Sequence, residues 1–318
     1  MTPKPSQSSP TNPIAVLVIG LFAVSTAAIF IRLAQQEGVS SLEISGARLL
    51  IAALVLTPWV LRRHLPELRR LSAAELGLCA LAGAVLSGHF AAWISSLEYT
   101  SVTASVVLVT TNPLFVALLS VPLLGEHVSR PVLLGILLAF LGSVIVALSG
   151  DAGNPPTRPD ALLGNGLAVL GAVAAALYFI IGRRLRAKLS IFVYIWLVYS
   201  AAAVCMLVVL GLQGAPVAQH SALGYVWLLA LGLIPQLIGH SAFNYALGYL
   251  PAAFVSLVVL GEPIGSTILA VLVLGEVPSL PVLLGAAVIL TGIAIGSRQP
   301  RAKPQTTPPN TQEEVSPA

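Results

Sequence analysis

The sequence predicts an all-α polytopic membrane protein whose ten transmembrane helices form two inverted five-helix repeats. Three observations predict it. The chain is 57% hydrophobic and only 9% charged, with a mean hydropathy of +0.93, whereas soluble domains carry about 25% charged residues. The apolar residues fall in runs long enough to cross a bilayer, which takes about 20 helical residues. Finally, the chain repeats itself at an offset of 150 residues. Leu97-Glu98-Tyr99 returns as Leu247-Gly248-Tyr249, Pro113 as Pro263, Leu124-Gly125-Glu126 as Leu274-Gly275-Glu276, and Pro131-Val132-Leu133-Leu134-Gly135 as Pro281-Val282-Leu283-Leu284-Gly285. An odd number of spans per copy inserts the second copy upside down, as in alternating-access transporters.

Residues 1–13 form a polar, proline-rich tail without the charged leader of a removable signal peptide, so the first apolar run is expected to be retained. The first repeat, 14–149, holds runs near 14–33, 42–60, 73–97, 101–123 and 131–149. A linker at 150–161, containing Asn154-Pro155-Pro156, is placed in the periplasm. The second repeat, 162–298, holds runs near 162–182, 190–211, 222–247, 252–274 and 281–297. Ser129 before Pro131 and Ser279 before Pro281 read as helix N-caps with proline in the first turn. Residues 299–318, rich in Pro, Gln and Thr, read as a disordered tail. Lipid leaves each backbone group to be satisfied within its own segment, which favours helices.

The basic residues fix the expected orientation. Arg62, Arg63, Arg69, Arg70, Arg130, Arg183, Arg184, Arg186 and Lys188 lie in loops on one side, together with Lys4, Arg298, Arg301 and Lys303 in the tails. Only Arg32 and Arg158 fall opposite, and Arg48 lies within a run. The positive-inside rule then puts both termini in the cytoplasm of a plasma (inner) membrane. The net charge of +4 is read as a topology signal and not as a nucleic-acid patch. Cys79 and Cys205 sit in apolar runs without metal-ligand spacing, so neither a disulfide framework nor a metal site is expected, and no cofactor is implied.

Polar residues inside the runs mark the candidate site, because a charge there costs about 2.5–3.5 kcal/mol on insertion scales. Glu262 precedes Pro263, and Asn112-Pro113 stands at the matching point of the fourth run. Proline bends a helix and frees a carbonyl, and matched breaks in both halves point to a transport site. Glu262 and Asn112 are therefore expected to line a central cavity, with Glu262 a candidate proton carrier; the bland alternative is that Glu262 caps the kink. His89, Trp93 and Ser96 share one helix face, as do His240 and Asn244, with Phe243 and Tyr245 beside them. These form either an aromatic, hydrogen-bonding wall for a small amphiphilic substrate or interhelical polar glue. Arg48 is a candidate for a substrate carboxylate, or else is neutralised by Glu43 or Glu37. Tyr178 is a further cavity candidate. Trp59, Trp196 and Trp227 read as interfacial anchors. Gly135, Gly142, Gly285, Gly292 and Gly296 suggest close packing of the fifth and tenth runs, and Glu126 and Glu276 read as structural carboxylates bonding loop backbone.

In sequence these features resemble the EamA family of the drug/metabolite transporter superfamily. The resemblance rests on Ala47-Arg48-Leu49-Leu50, Leu97-Glu98-Tyr99-Thr100, Asn112-Pro113 with Leu124-Gly125-Glu126, and Glu262-Pro263 with Leu274-Gly275-Glu276. It implies ten helices with cytoplasmic ends, spans 1–4 and 6–9 around a central cavity, spans 5 and 10 as scaffold, and export of amino acids or related metabolites. Val198 stands where a second copy of Arg48 would align, so any carboxylate role is one-sided.

The leading reading is a secondary exporter of small amphiphilic metabolites. Phosphorylated metabolites or drugs are alternatives, although a phosphate site would want several buried cations and only Arg48 is available. The spans hold no aspartate, and the chain has no His-Glu-x-x-His and no Gly-x-Ser-x-Gly, so an intramembrane enzyme is not expected. A receptor or structural role would not require matched mid-membrane polar residues.

Overall fold

The computed structural model describes residues 11–100, 102–150, 160–214, 219–274 and 280–298. Among them every regular element is helical. In order these are α1 (Pro13–Ser25), α2 (Ala27–Gln36), α3 (Ser41–Arg63), the single turn α4 (Leu65–Leu68), α5 (Ala73–Tyr99), α6 (Val102–Val109), α7 (Asn112–Leu124), α8 (Arg130–Gly150), α9 (Ala161–Arg186) and α10 (Ile191–Leu212). There follow α11 (Ala222–Leu231), a π-helical segment (Gly232–His240), α12 (Ser241–Leu247), α13 (Ala252–Val259), α14 (Glu262–Leu274) and α15 (Leu280–Gly296).

The helix starts are written in the sequence. Ser40 and Ser72 each accept from the backbone N–H three residues on, and Glu43 and Glu75 return a bond to the cap backbone, forming two capping boxes. Asn12, Ser190 and Ser221 cap α1, α10 and α11 with a side-chain oxygen. Gly125 ends α7 in the left-handed region at φ 68°, where a Cβ would be strained. Ser129 does precede α8, but its buried hydroxyl makes no hydrogen bond; the residue has the position of a cap without its bond. Ser279 and Glu276 lie outside the described residues, as do residues 1–10 of the N-terminal tail, the C-terminal tail from 299 and most of the linker.

Six helical stretches are long and apolar enough to cross a membrane: Pro13–Gln36, Ser41–Arg63, Ala73–Tyr99, Leu162–Arg186, Ile191–Leu212 and Ala222–Leu247. The other predicted runs fall on shorter apolar helices. The outer surface carries large apolar side chains such as Phe22, Leu54, Leu118, Leu170 and Leu207, each at least half exposed. A water-facing surface rarely gathers so many, whereas lipid solvates them.

Helices from the two halves of the chain interleave. α5, α6 and α7 pack on α9, while α1 packs on α12, α14 and the π-helical segment. α3 lies along α10, with α10 also against α5 and α3 against the π segment. α8 and α15 pack against each other along their length. Their seam is made by the glycines named from sequence: a Cβ at Gly135 would fall 2.5 Å from the Gly292 carbonyl oxygen, and one at Gly142 2.6 Å from the Gly285 carbonyl oxygen. Only glycine permits that approach.

Candidate functional site

Two of the predicted runs are broken in the same way. α6 ends at Val109 and α7 begins at Asn112-Pro113; α13 ends at Val259 and α14 begins at Glu262-Pro263. Across the first break Thr111 N–H donates to Leu108 O at 3.2 Å and Leu114 N–H to Thr111 O at 3.0 Å. Across the second, Gly261 N–H donates to Val258 O at 2.9 Å and Ile264 N–H to Gly261 O at 3.1 Å. These tightened turns suit proline, which has no N–H and is tolerated in a helix's first turn. Asn112 and Glu262 thus become the first residues of two half-helices, where the positive end of the helix dipole lies.

A cavity sits at both breaks. One wall is made by His89 and Trp93 of α5, Val109, Thr110 and Asn112 at the first break, and Ala175, Tyr178 and Phe179 of α9. The other is made by Val24 and Ala27 of the first stretch, His240 and Phe243, and Val259 and Glu262 at the second break. The space open to water is about 50 Å³, enough for a few water molecules. His89 stacks near Trp93 at 6.0 Å between centroids, and its Nδ1 hydrogen-bonds with Gly171 O at 2.9 Å. Trp93 Nε1, Asn112 Oδ1 and His240 Nδ1 are buried there without hydrogen-bond partners.

Of the residues expected at the site, His89, Trp93, Asn112, Tyr178, His240 and Glu262 line this cavity. Ser96 does not; it hydrogen-bonds to Ser105 and acts as polar glue. Asn244 is fully buried behind the wall, donating to Tyr178 Oη at 2.6 Å and Tyr199 Oη at 3.3 Å. Tyr245 is a correction: its hydroxyl donates to Thr11 O at 2.9 Å and its ring leans on Tyr249, away from the cavity. Successive residues on a helix point about 100° apart, so Asn244 inward sends Tyr245 outward.

Arg48 lies just behind the cavity, fully buried. Neither carboxylate proposed to neutralise it does so. Glu43 accepts from Ser40 and pairs with His220 at 3.2 Å, and Glu37 accepts from Ser221. Arg48 instead donates from Nε to Gln236 Oε1 at 3.0 Å and stacks on Phe90, its guanidinium carbon 4.0 Å from the ring centroid. Sequence reasoning missed Gln236 and Tyr199. The signal for Gln236 was Pro235-Gln236 inside an apolar run; Pro235 falls within the π-helical turn, a distortion that recurs at functional sites. Glu126 accepts from Arg183 Nε at 2.6 Å and from the N–H of Ala252, the first residue of α13, at 3.4 Å, so it bonds an arginine and a helix start and not the neighbouring loop backbone. Trp196 donates to Thr57 Oγ1 at 2.9 Å and Trp227 stacks on Phe30, so neither ring is a bare surface anchor. Among the described residues no His, Cys, Asp or Glu side chains group to hold a metal.

Apolar helices enclose a largely apolar cavity with a few convergent polar groups at paired helix breaks, the character of a small-molecule site within a membrane protein. The chain belongs to the EamA-like transporter family, whose sequence model matches it twice, over residues 11–148 and 162–298. It is 28% identical over 282 residues to YdfC of Bacillus subtilis, an uncharacterized transporter, covering 87% of each chain. An uncharacterized transporter of Clostridium kluyveri is 24% identical over 83% of this chain and 85% of its own. A probable terminal-alkyne amino-acid exporter of Streptantibioticus cattleyicolor is 26% identical over 73% of this chain and 76% of its own. One crystal structure shares the fold with a TM-score of 0.75 at 20% identity, over 91% of this chain and 97% of that one.

Proposed function

We propose that this protein is a secondary transporter that exports amino acids or related small amphiphilic metabolites by alternating access. In this reading the six long stretches and the shorter apolar helices make ten spans in two oppositely inserted repeats, 14–149 and 162–298, joined by a periplasmic linker at 150–161. Both termini are cytoplasmic, as the loop arginines and lysines suggest. The observation that carries the reading is the cavity at the matched breaks, with Asn112 and Glu262 opening two half-helices into it. Half-helix ends at mid-membrane are suited to polar substrate groups, and the unpaired Trp93, Asn112 and His240 atoms offer hydrogen bonds to a ligand. The aromatic wall suits an apolar side chain. The exporter among the relatives acts on an amino acid by its name, which favours the same class here. Glu262, the acidic residue on the lining, is assigned as proton carrier, so that efflux is driven by proton entry.

The test is uptake of labelled tryptophan, phenylalanine, threonine and a sugar phosphate into proteoliposomes, with and without a pH gradient. Saturable flux of an amino acid that responds to the gradient is expected. Flux of the sugar phosphate alone would replace the substrate class, and gradient-independent flux would remove the proton-carrier role.

A further inference from the structure

We infer that Arg48 and Gln236 form a carboxylate-binding subsite behind Phe90, adjoining the cavity. The inference rests on the transporter reading only in naming the carboxylate as the substrate's own. Arg48 and Gln236 are both fully buried. Arg48 spends one donor, Nε, on Gln236 Oε1 at 3.0 Å, and Phe90 covers a guanidinium face. Its terminal nitrogens Nη1 and Nη2 are buried without any hydrogen-bond partner. Gln236 Nε2 likewise makes no hydrogen bond, and the amide lies near the Tyr199 hydroxyl.

A buried guanidinium with open terminal donors is strongly disfavoured unless something occupies them. Among the described residues no carboxylate forms a salt bridge with Arg48. The unpaired donors therefore suit an anion. Two parallel N–H groups in a rigid fork match the two oxygens of a carboxylate. A phosphate would call for more cations, and among the described residues no lysine or arginine lines the cavity. Phe90 covers the guanidinium on one side and lies 5.1 Å from the His240 ring and 4.8 Å from the His89 ring of the cavity lining on the other, so this ring is what separates the fork from the cavity wall. Gln236 is the positioning residue. By holding Nε it fixes the guanidinium plane and leaves the fork open for the ligand.

The test uses the purified full-length protein in detergent and three probes: hydrocinnamate, its uncharged amide and chloride. Binding is read by calorimetry. Hydrocinnamate should bind saturably and at least about tenfold more tightly than the amide, since hydrogen bonds to a charged group contribute about 1.5–3 kcal/mol and tenfold is about 1.4. Arg48→Gln should abolish this preference, because the charged fork is what discriminates the two probes. Gln236→Glu places a carboxylate beside the fork and should abolish the preference too. That variant gains an internal ion pair and serves as the folded control should Arg48→Gln misfold. Equal binding of acid and amide, absence of hydrocinnamate binding, or an undiminished preference in Gln236→Glu would overturn the subsite. Chloride binding that Arg48→Gln removes, without hydrocinnamate binding, would overturn it in favour of a halide site. An acid preference in a protein that carries no amino acid would leave the subsite standing and remove the transport reading.

Discussion

At the residue scale the buried polar atoms divide into satisfied and waiting ones. Asn244 belongs to the first group, since its amide holds Tyr178 and Tyr199 together. Asn244→Leu should lower stability by about 1–3 kcal/mol, because two buried hydroxyls lose a donor; thermal unfolding in detergent measures it. Trp93, Asn112 and His240 have atoms in the second group, and Glu262 lines the same cavity. Glu262→Gln keeps the side chain's shape but cannot exchange a proton, so flux should persist and lose its response to a pH gradient in proteoliposomes. An unchanged response would remove Glu262 from coupling. Glu262, His89, His240 and Asn112 were legible in the sequence because ionisable and amide groups are costly in lipid and therefore conspicuous. Gln236 was less conspicuous, being uncharged, and its contact with Arg48 joins residues 188 positions apart, a separation that periodicity does not reveal. Tyr245 follows Asn244 in the chain, but successive helical residues point about 100° apart, so adjacency in sequence does not bring it to the cavity.

At the element scale, proline and glycine were the readable punctuation. Pro113 and Pro263 marked both breaks, and the glycines marked the α8–α15 seam. Gly292→Leu would push its side chain into the Gly135 carbonyl and the Ala139 backbone, each under 3 Å from a Cβ at this position. Both obstacles are main chain, so the helices must part, and a lowered thermal midpoint with loss of monodisperse protein on size exclusion is expected. Pro263→Ala restores a backbone donor and favours a continuous helix through the second break. Transport should slow by about tenfold or more, the scale on which misplaced groups reduce rates, with hydrocinnamate affinity changing less; flux and calorimetry separate the two. The interruption of the first stretch at Thr26 and the π-helical turn of the eighth were not legible. Thr26 N–H bonds to Ala23 O and its hydroxyl to the same carbonyl, a local choice open to any threonine and made here by packing. A π-turn needs neighbouring helices to hold it, and Pro235 alone does not specify one.

At the scale of the whole molecule, the orientation is tested by labelling. Lys188 and Asp160 are both exposed, at opposite ends of α9. In intact cells a membrane-impermeant maleimide should label Asp160→Cys and spare Lys188→Cys; the reverse pattern would invert the topology. The composition and loop charges made the membrane class legible, and the 150-residue offset made the pairing of the breaks legible. The way the halves interleave was not, because an internal repeat states which segments are alike and says nothing of which ones touch. The packing has a mechanical consequence. The cavity lies between two groups of helices matched by the repeat: α5, α6, α7 and α9 on one side, and α1, the Ala222–Leu247 stretch, α13 and α14 on the other, with α13 also packing on α7. Each group borrows one member from the opposite half of the polypeptide, and the offset carries one group onto the other. In the proposed alternating-access reading, the bodies that hinge are therefore not the halves that the sequence repeats. A tether within one group, such as α1 to α12, would leave it free to swing, while one from α1 to α5 would clamp the mouth.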